Sequence, residues 1–138
     1  MIENVKTETI EAMLDAMPVE ISFIDENGEV KYFNKNGNRI FPRPRSIVGK
    51  KVQQCHPDKS IHIVEKILQD FRNKKRKIAP FWIDLKNRKI LIRYFPVWDK
   101  EGNYKGCLEV SEDITDIQKL TGEKRLLDEE TSETSRKT

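Results

Sequence analysis

The sequence lacks most of the features that would declare a chemistry outright. Its 138 residues include only two cysteines, Cys55 and Cys107. Neither belongs to a Cys-x-x-Cys pair or a Cys-x-x-Cys-His haem-attachment motif, which argues against a structural zinc site and leaves both as reduced thiols. There is no Gly-rich phosphate loop, no Gly-x-Ser-x-Gly elbow and no His-Glu-x-x-His helix, so the common nucleotide, acyl-transfer and metalloprotease frameworks are excluded. Without a nucleophile beside a base or a pair of carboxylates in a recognisable pattern, the chain reads as a non-enzyme. No apolar run approaches the roughly 18 residues of a membrane span, and Met1 to Lys6 carry no signal-peptide pattern. The expectation is a cytoplasmic protein with no membrane partner. An excess of one charge is lacking as well: Lys plus Arg number 26 and Asp plus Glu 23, a net charge of +3. That is too little to argue for a nucleic-acid partner.

What the sequence does hold is 36% hydrophobic and 36% charged residues, with a mean hydropathy of −0.72. The apolar minority is arranged in short periodic runs, the pattern of one small core under a charged skin. Ile10, Met13, Leu14 and Met17 recur at three- and four-residue steps before Pro18, predicting an amphipathic helix over 7–17. Ile21, Phe23 and Ile24, then the turn signal Asp25-Glu26-Asn27-Gly28, then Val30, Tyr32 and Phe33 predict a β-hairpin. Gly37, Pro42 and Pro44 keep the following stretch irregular, with a turn of helix allowed between Asn36 and Phe41.

Ile61, Val64, Leu68 and Phe71, widened by Ile63 and Ile67, make the clearest helical stripe. It is expected over 57–72, with Pro57 at the first helical position and His56 or a neighbour capping it. Three strands follow, over 78–85, 89–98 and 104–114, rich in β-branched and aromatic residues. Ile117, Leu120 and Leu127 then recur near heptad spacing, predicting an amphipathic exit helix that runs into a polar, disordered tail. This order places five strands in one antiparallel sheet with helices on one face, an α+β domain.

Four stretches, in this order and spacing, resemble the PAS domain family: Leu14-Asp15-Ala16-Met17-Pro18, Ile24-Asp25-Glu26-Asn27-Gly28-Glu29-Val30 through Asn34, Ile47-Val48-Gly49-Lys50, and Asp113-Ile114-Thr115. The resemblance implies a PAS domain over 1–118 and an exit helix and tail over 119–138. A narrower likeness, to PAS domains that accompany hemerythrin-like domains in bacterial and archaeal proteins, rests on Cys55-His56-Pro57, Lys59-Ser60, His62 to Ile67 and Ile92 to Val97.

By this resemblance the chain is a sensory and interaction domain in signal transduction. It would bind a small ligand or cofactor between the long helix and the sheet, as a homodimer or with a protein output partner in trans. Asp113, Ile114 and Thr115 would pass the signal on. A ligand-free dimerisation or scaffold module is the alternative. The expected pocket residues are His56, Val64, Ile67, Leu68, Phe81, Ile92, Tyr94 and Leu108, with Ile21, Phe23, Ile40, Phe41 and Ile83 as further candidates; all the apolar ones also read as plain core. The helical wheel turns His62 to solvent and His56 toward the apolar side. Haem sensors of the family draw an iron ligand from this region, so His56 is a candidate haem ligand, whereas the residue pattern alone equally allows a capping or carbonyl-bonding role. Val52-Gln53-Gln54-Cys55-His56 does not supply the Asn-Cys-Arg-Phe-Leu type motif of flavin photosensors. The cofactor is thus unassigned.

Overall fold

The computed structural model describes residues 1–129. Helix α1 (Thr7–Ala16) leads into the hairpin β1 (Glu20–Asp25) and β2 (Val30–Phe33). The long helix α2 (Asp58–Arg72) and the strands β3 (Ala79–Leu85), β4 (Arg88–Trp98) and β5 (Tyr104–Asp113) follow. All pairings are antiparallel, in the order β2-β1-β5-β4-β3. The first strand therefore sits beside the last, and β5 is central.

Local chemistry accounts for these boundaries. In the β1–β2 turn, Asp25 Oδ1 accepts from the N–H groups of Asn27 (2.9 Å) and Glu29 (3.0 Å), and Gly28 takes a φ of 80° that a side chain would oppose. Pro57 is extended and sits one position ahead of α2 rather than inside it. His56 is extended too and makes no capping bond. The close approach of β1 and β5 depends on Gly106, where a Cβ would lie 2.0 Å from the carbonyl oxygen of Ile24.

Helix α2 crosses the inner face of the sheet. Its C-terminal half is seated firmly: Ile67 and Phe71 pack with Ala79 and Cys107, and Leu68, Tyr94 and Tyr104 border them. Phe71 is fully buried, a contribution of about 2–3 kcal/mol. Arg72 closes the helix by donating to the carbonyl of Glu26 (2.8 Å) while its guanidinium lies over the Tyr104 ring. A second cluster of Ile24, Val30 and Val52 forms beyond the other end, bordered by Ile47, Val64 and Leu68.

The strand register fixes which residues look inward. Glu20, Ser111, Ile92 and Phe81 form one row across the sheet; Ser22, Glu109, Tyr94 and Ala79 form the next. Ile24, Cys107 and Pro96 form a third. The opposite face carries Ile21, Phe23, Leu91, Phe95, Leu108 and Val110. Ile21, Phe23 and Leu108, expected at the pocket, therefore point away from α2. Alternation along a strand separates two faces without saying which one is covered.

After Thr115 the described residues hold a 3-10 turn (Ile117–Lys119) rather than a continuous helix, and helix returns only at Asp128 and Glu129. Leu120 is extended and Gly122 has a φ of 61°, which breaks helical continuity. Ile117, Leu120 and Leu127 are all exposed. A short isolated helix needs tertiary packing to persist, and within one chain these side chains find none. Of the exit helix and tail expected over 119–138, residues 130–138 lie outside the described residues.

Candidate functional site

Between the two apolar clusters lies a cavity of about 200 Å³. The sheet contributes Ile24, Phe81, Ile92, Tyr94 and Cys107 to its wall; α2 contributes Ser60, Ile63, Val64, Ile67 and Leu68. Val52 and His56 close it from the segment before α2. The space sits under the N-terminal half of α2, where the helix is less deeply seated. Ile63 is 49% exposed there and Phe81 39% exposed, so these two side chains stand at the mouth.

Of the residues expected from the sequence, the structure brings His56, Val64, Ile67, Leu68, Phe81, Ile92 and Tyr94 together around this one space. Leu108 does not join them: it pairs with Phe23 and Phe95 on the opposite face. Its neighbour Cys107 takes the inward place. The difference is a single residue of parity, which the alternation of β5 alone leaves open. Ile24, Val52, Ser60, Ile63 and Cys107 were missed. Ile24 and Ile63 belong to apolar runs visible in the sequence, whereas Val52 arrives from a loop that only the fold brings in.

The polar groups on the wall are held uncharged. Burial lowers the His56 pKa below its usual 6.5, with Glu109 opposing and Arg43 adding to the effect, so the ring is neutral at pH 7. Burial, then the Glu109 charge, pushes the Tyr94 phenol well up from 10.0. The Cys107 thiol is pushed up to about 12, again by burial first and Glu109 second. Ser60 directs its hydroxyl to the carbonyl of Pro57 at 3.1 Å. Tyr94 and Phe81 meet edge to face, with ring centroids 6.0 Å apart.

Next to this apolar space is a polar one that sequence reading missed altogether. Glu20 and Glu109 are both buried on the inner face. Glu20 accepts from the backbone N–H of Ile40, from that of Phe41 (3.1 Å), and pairs with Arg39 at 3.6 Å. Arg39 also donates to the carbonyl of Asn34 at 2.7 Å. Asn34 in turn accepts from Ile21 N–H (2.7 Å) and donates to the carbonyls of Leu14 (2.8 Å) and Val19 (3.0 Å). Arg43 donates to Glu109 at 3.0 Å. Ile40 and Phe41, expected as pocket residues, thus serve this network through their backbone. The signal that could have exposed it was the polar phase of the two strands, Glu20 with Ser22 and Glu109 with Ser111. A space of only about 10 Å³ separates His56 from Ser22, Arg43 and Glu109, room for a water at most.

A haem at His56 does not fit the cavity as it stands. A cavity of about 150 Å³ holds a benzene ring, and this one at about 200 Å³ is far short of a tetrapyrrole. No cluster of three or more metal-ligating side chains occurs among the described residues. His62, the other histidine, is exposed.

At the far end of β5 the residues Asp113, Ile114 and Thr115 form a clasp. Asp113 Oδ1 accepts from both the Thr115 N–H (3.0 Å) and the Thr115 hydroxyl (2.7 Å). The same hydroxyl oxygen accepts from Lys89 N–H at 2.8 Å, and Ile114 N–H donates to the Lys89 carbonyl at 2.9 Å. Arg88 donates to the second Asp113 oxygen at 2.7 Å and to Asp116 at 3.3 Å. With Arg88 and Thr115 stabilising its charge, the Asp113 carboxyl is lowered to about 2. The clasp ties the end of β5 to the start of β4 and sets the direction in which the chain leaves the sheet.

A family model of the PAS domain matches residues 10–115. The chain belongs to the PAS domain family. PAS domains are sensory modules, generally without enzymatic activity. The solved structures agree on the fold. The chain is similar to a C-terminal domain from Streptococcus mutans, with 28% identity, a TM-score of 0.79, and coverage of 85% of this chain and 91% of that one. It is similar to the PAS domain of BvgS from Bordetella pertussis, with 17% identity, a TM-score of 0.58 and coverage of 95% and 97%. It also resembles a sensory box sensor histidine kinase from Vibrio cholerae, with 12% identity, a TM-score of 0.53 and coverage of 78% and 91%. A search of curated proteins finds no matching relative. Among the described residues no helix is long and apolar enough to cross a membrane.

Proposed function

We propose that this PAS domain is a cytoplasmic, non-enzymatic sensor that takes a small ligand into the cavity under α2 and reports its presence through β5 to a protein partner or a second copy of itself. One observation carries the reading. Strand β5 lines the cavity with Cys107, anchors the ion pair behind it with Glu109, and ends in the Asp113–Thr115 clasp. A ligand that binds one arrangement of α2 and the sheet better than another would therefore bias the exit of the chain. The sensory role of the similar histidine kinase supports the same direction.

Hydrogen exchange at residues 114–119 tests the relay. It should differ between protein carrying the small molecule it co-purifies with from its natural host and the same protein after extraction. Asp113→Ala and Thr115→Ala should abolish that difference. Identical exchange in the two wild-type forms would overturn the relay.

A ligand-free dimerisation module is the second reading, favoured by the exposure of Trp82 (66%), Leu120 (78%) and Leu126 (91%). It predicts a concentration-dependent dimer by sedimentation, weakened by Trp82→Glu or Leu120→Glu, and no small molecule in native mass spectra.

A further inference from the structure

Resting on the ligand-binding reading above, we infer that the molecule the cavity accepts is uncharged, is built on one six-membered ring or an apolar body of that size, and carries a single hydrogen-bonding group at the His56–Tyr94 end.

Size sets the first limit. The cavity of about 200 Å³ exceeds the roughly 150 Å³ that holds a bare benzene ring by enough for one or two small substituents. A fused bicycle or a long acyl chain would have to displace α2. The opening is flanked by the partly exposed side chains of Ile63 and Phe81.

The wall sets the second. Eight of the side chains facing the space are aliphatic or aromatic hydrocarbon: Ile24, Phe81 and Ile92 on the sheet, Ile63, Val64, Ile67 and Leu68 on the helix, and Val52 from the segment before it. An ion placed among them would lose its hydration without compensation. The nearest cation, Arg43, does not line the cavity; it lies beyond His56 and is committed to Glu109 at 3.0 Å. Arg43 Nε is buried without a partner, but the guanidinium is not part of the cavity wall, so a carboxylate ligand in the cavity would not reach it and Glu109 would repel the charge.

The third limit is where polarity remains. His56 shares a space of about 10 Å³ with Glu109, and Tyr94 stands opposite Glu109 in the β4–β5 register, so the two mark one polar end of an otherwise hydrocarbon space. A neutral imidazole can either donate or accept, and the phenol, whose proton is turned to Glu109, can still accept. Ser60 is occupied by Pro57 and the Cys107 thiol is a weak donor. One hydroxyl or carbonyl on the ligand is what this end can satisfy.

The test is a ¹H–¹³C NMR titration of the full chain at pH 7 with phenol, toluene, benzoate, octanoate and 2-naphthol. Phenol should shift the methyl resonances of Ile24, Val64, Ile67 and Ile92 saturably. Benzoate, of the same shape but charged, should bind roughly a hundredfold more weakly. Tyr94→Phe or His56→Phe should weaken phenol by about fivefold to tenfold and leave toluene unchanged. Val64→Phe should abolish phenol binding, with Ile92→Phe as the second variant should the first not fold. If benzoate, octanoate or 2-naphthol bound as tightly as phenol, the ligand class would be wrong while the ligand-binding reading stood. If no probe bound and Val64→Phe were more stable than the wild type, the space would be a packing void and both would fall. Phenol binding undiminished in both Phe variants would place the site elsewhere and overturn the inference.

Discussion

Across β1 and β5 the inner face of the sheet buries Glu20, Ser22, Glu109 and Ser111, whereas across β3 and β4 it presents Ala79, Phe81, Ile92 and Tyr94. Both halves lie on the same side of one sheet, yet the polar half is filled and the apolar half is hollow. Directional bonds explain the first. Arg39, at 2% side-chain exposure, meets Glu20, at 5%, and Asn34 satisfies three backbone groups from separate segments. Each partner is fixed because leaving it unpaired would strand a buried polar group. Hydrocarbon contacts carry no such directional demand, so α2 can be anchored by Ile67 and Phe71 and still stand off the sheet at Val64. The lesson is that the rigid wall of the site is polar and the adaptable one is apolar, with His56 at the seam between them.

The largest effect should come from breaking the polar half. Arg39→Ala leaves the Glu20 carboxylate buried with its counter-charge gone, and should destabilise the domain by about 3–5 kcal/mol in urea unfolding. A loss under about 1 kcal/mol would show that this pair behaves like a surface one. The apolar half should respond in the opposite sense. Val64→Ile adds one methylene into free space and should be neutral or stabilising by up to about 1 kcal/mol, where the same addition in a close-packed core would cost about 1–3 kcal/mol. A cost of that size would mean the cavity is already closed by packing.

The seam should show itself in pH dependence. His56 has a folded pKa below its unfolded 6.5 because burial disfavours the imidazolium. Between those values the unfolded chain binds more protons, so stability rises with pH. The contribution is fully present above 6.5 and is lost as pH falls from there through the folded pKa. His56→Gln should remove that part of the slope below pH 6.5, and an unchanged slope would reassign it to other groups. The smallest effect is on reactivity alone. Cys107 is fully buried, with its thiol raised to about 12, while Cys55 is half-buried. A disulfide reagent at pH 8 should modify Cys55 in the native protein and Cys107 only on unfolding. Equal rates would mean that the cavity floor is open to solvent.

Much of the fold was legible because the relevant signals are local. The Ile61 to Phe71 stripe, the Asp25-Glu26-Asn27-Gly28 turn and the β-branched runs of β3 and β4 each constrain their own backbone within a few residues. The candidate site was half legible for the same reason: residues on α2 and β4 came from strong periodic elements. Leu108 was misplaced and Cys107 passed over because the two are adjacent on one strand and only the register separates them.

By itself, then, the sequence determined the order and type of the elements, the apolar side of α2 and the absence of an obvious catalytic group. These follow from periodicity, turn chemistry and residue inventory, which need no knowledge of neighbours. Only the tertiary structure decided that Glu20 and Glu109 face α2 while Ile21, Phe23 and Leu108 lie on the other face of the sheet, where Ile21 is buried as well. The same holds for Arg39 and Arg43 reaching back to neutralise them, and for the path of residues 116–127 after β5. The reason is physical. A strand's alternation defines two faces symmetrically, and only the segments that pack against it can say which face is the interior.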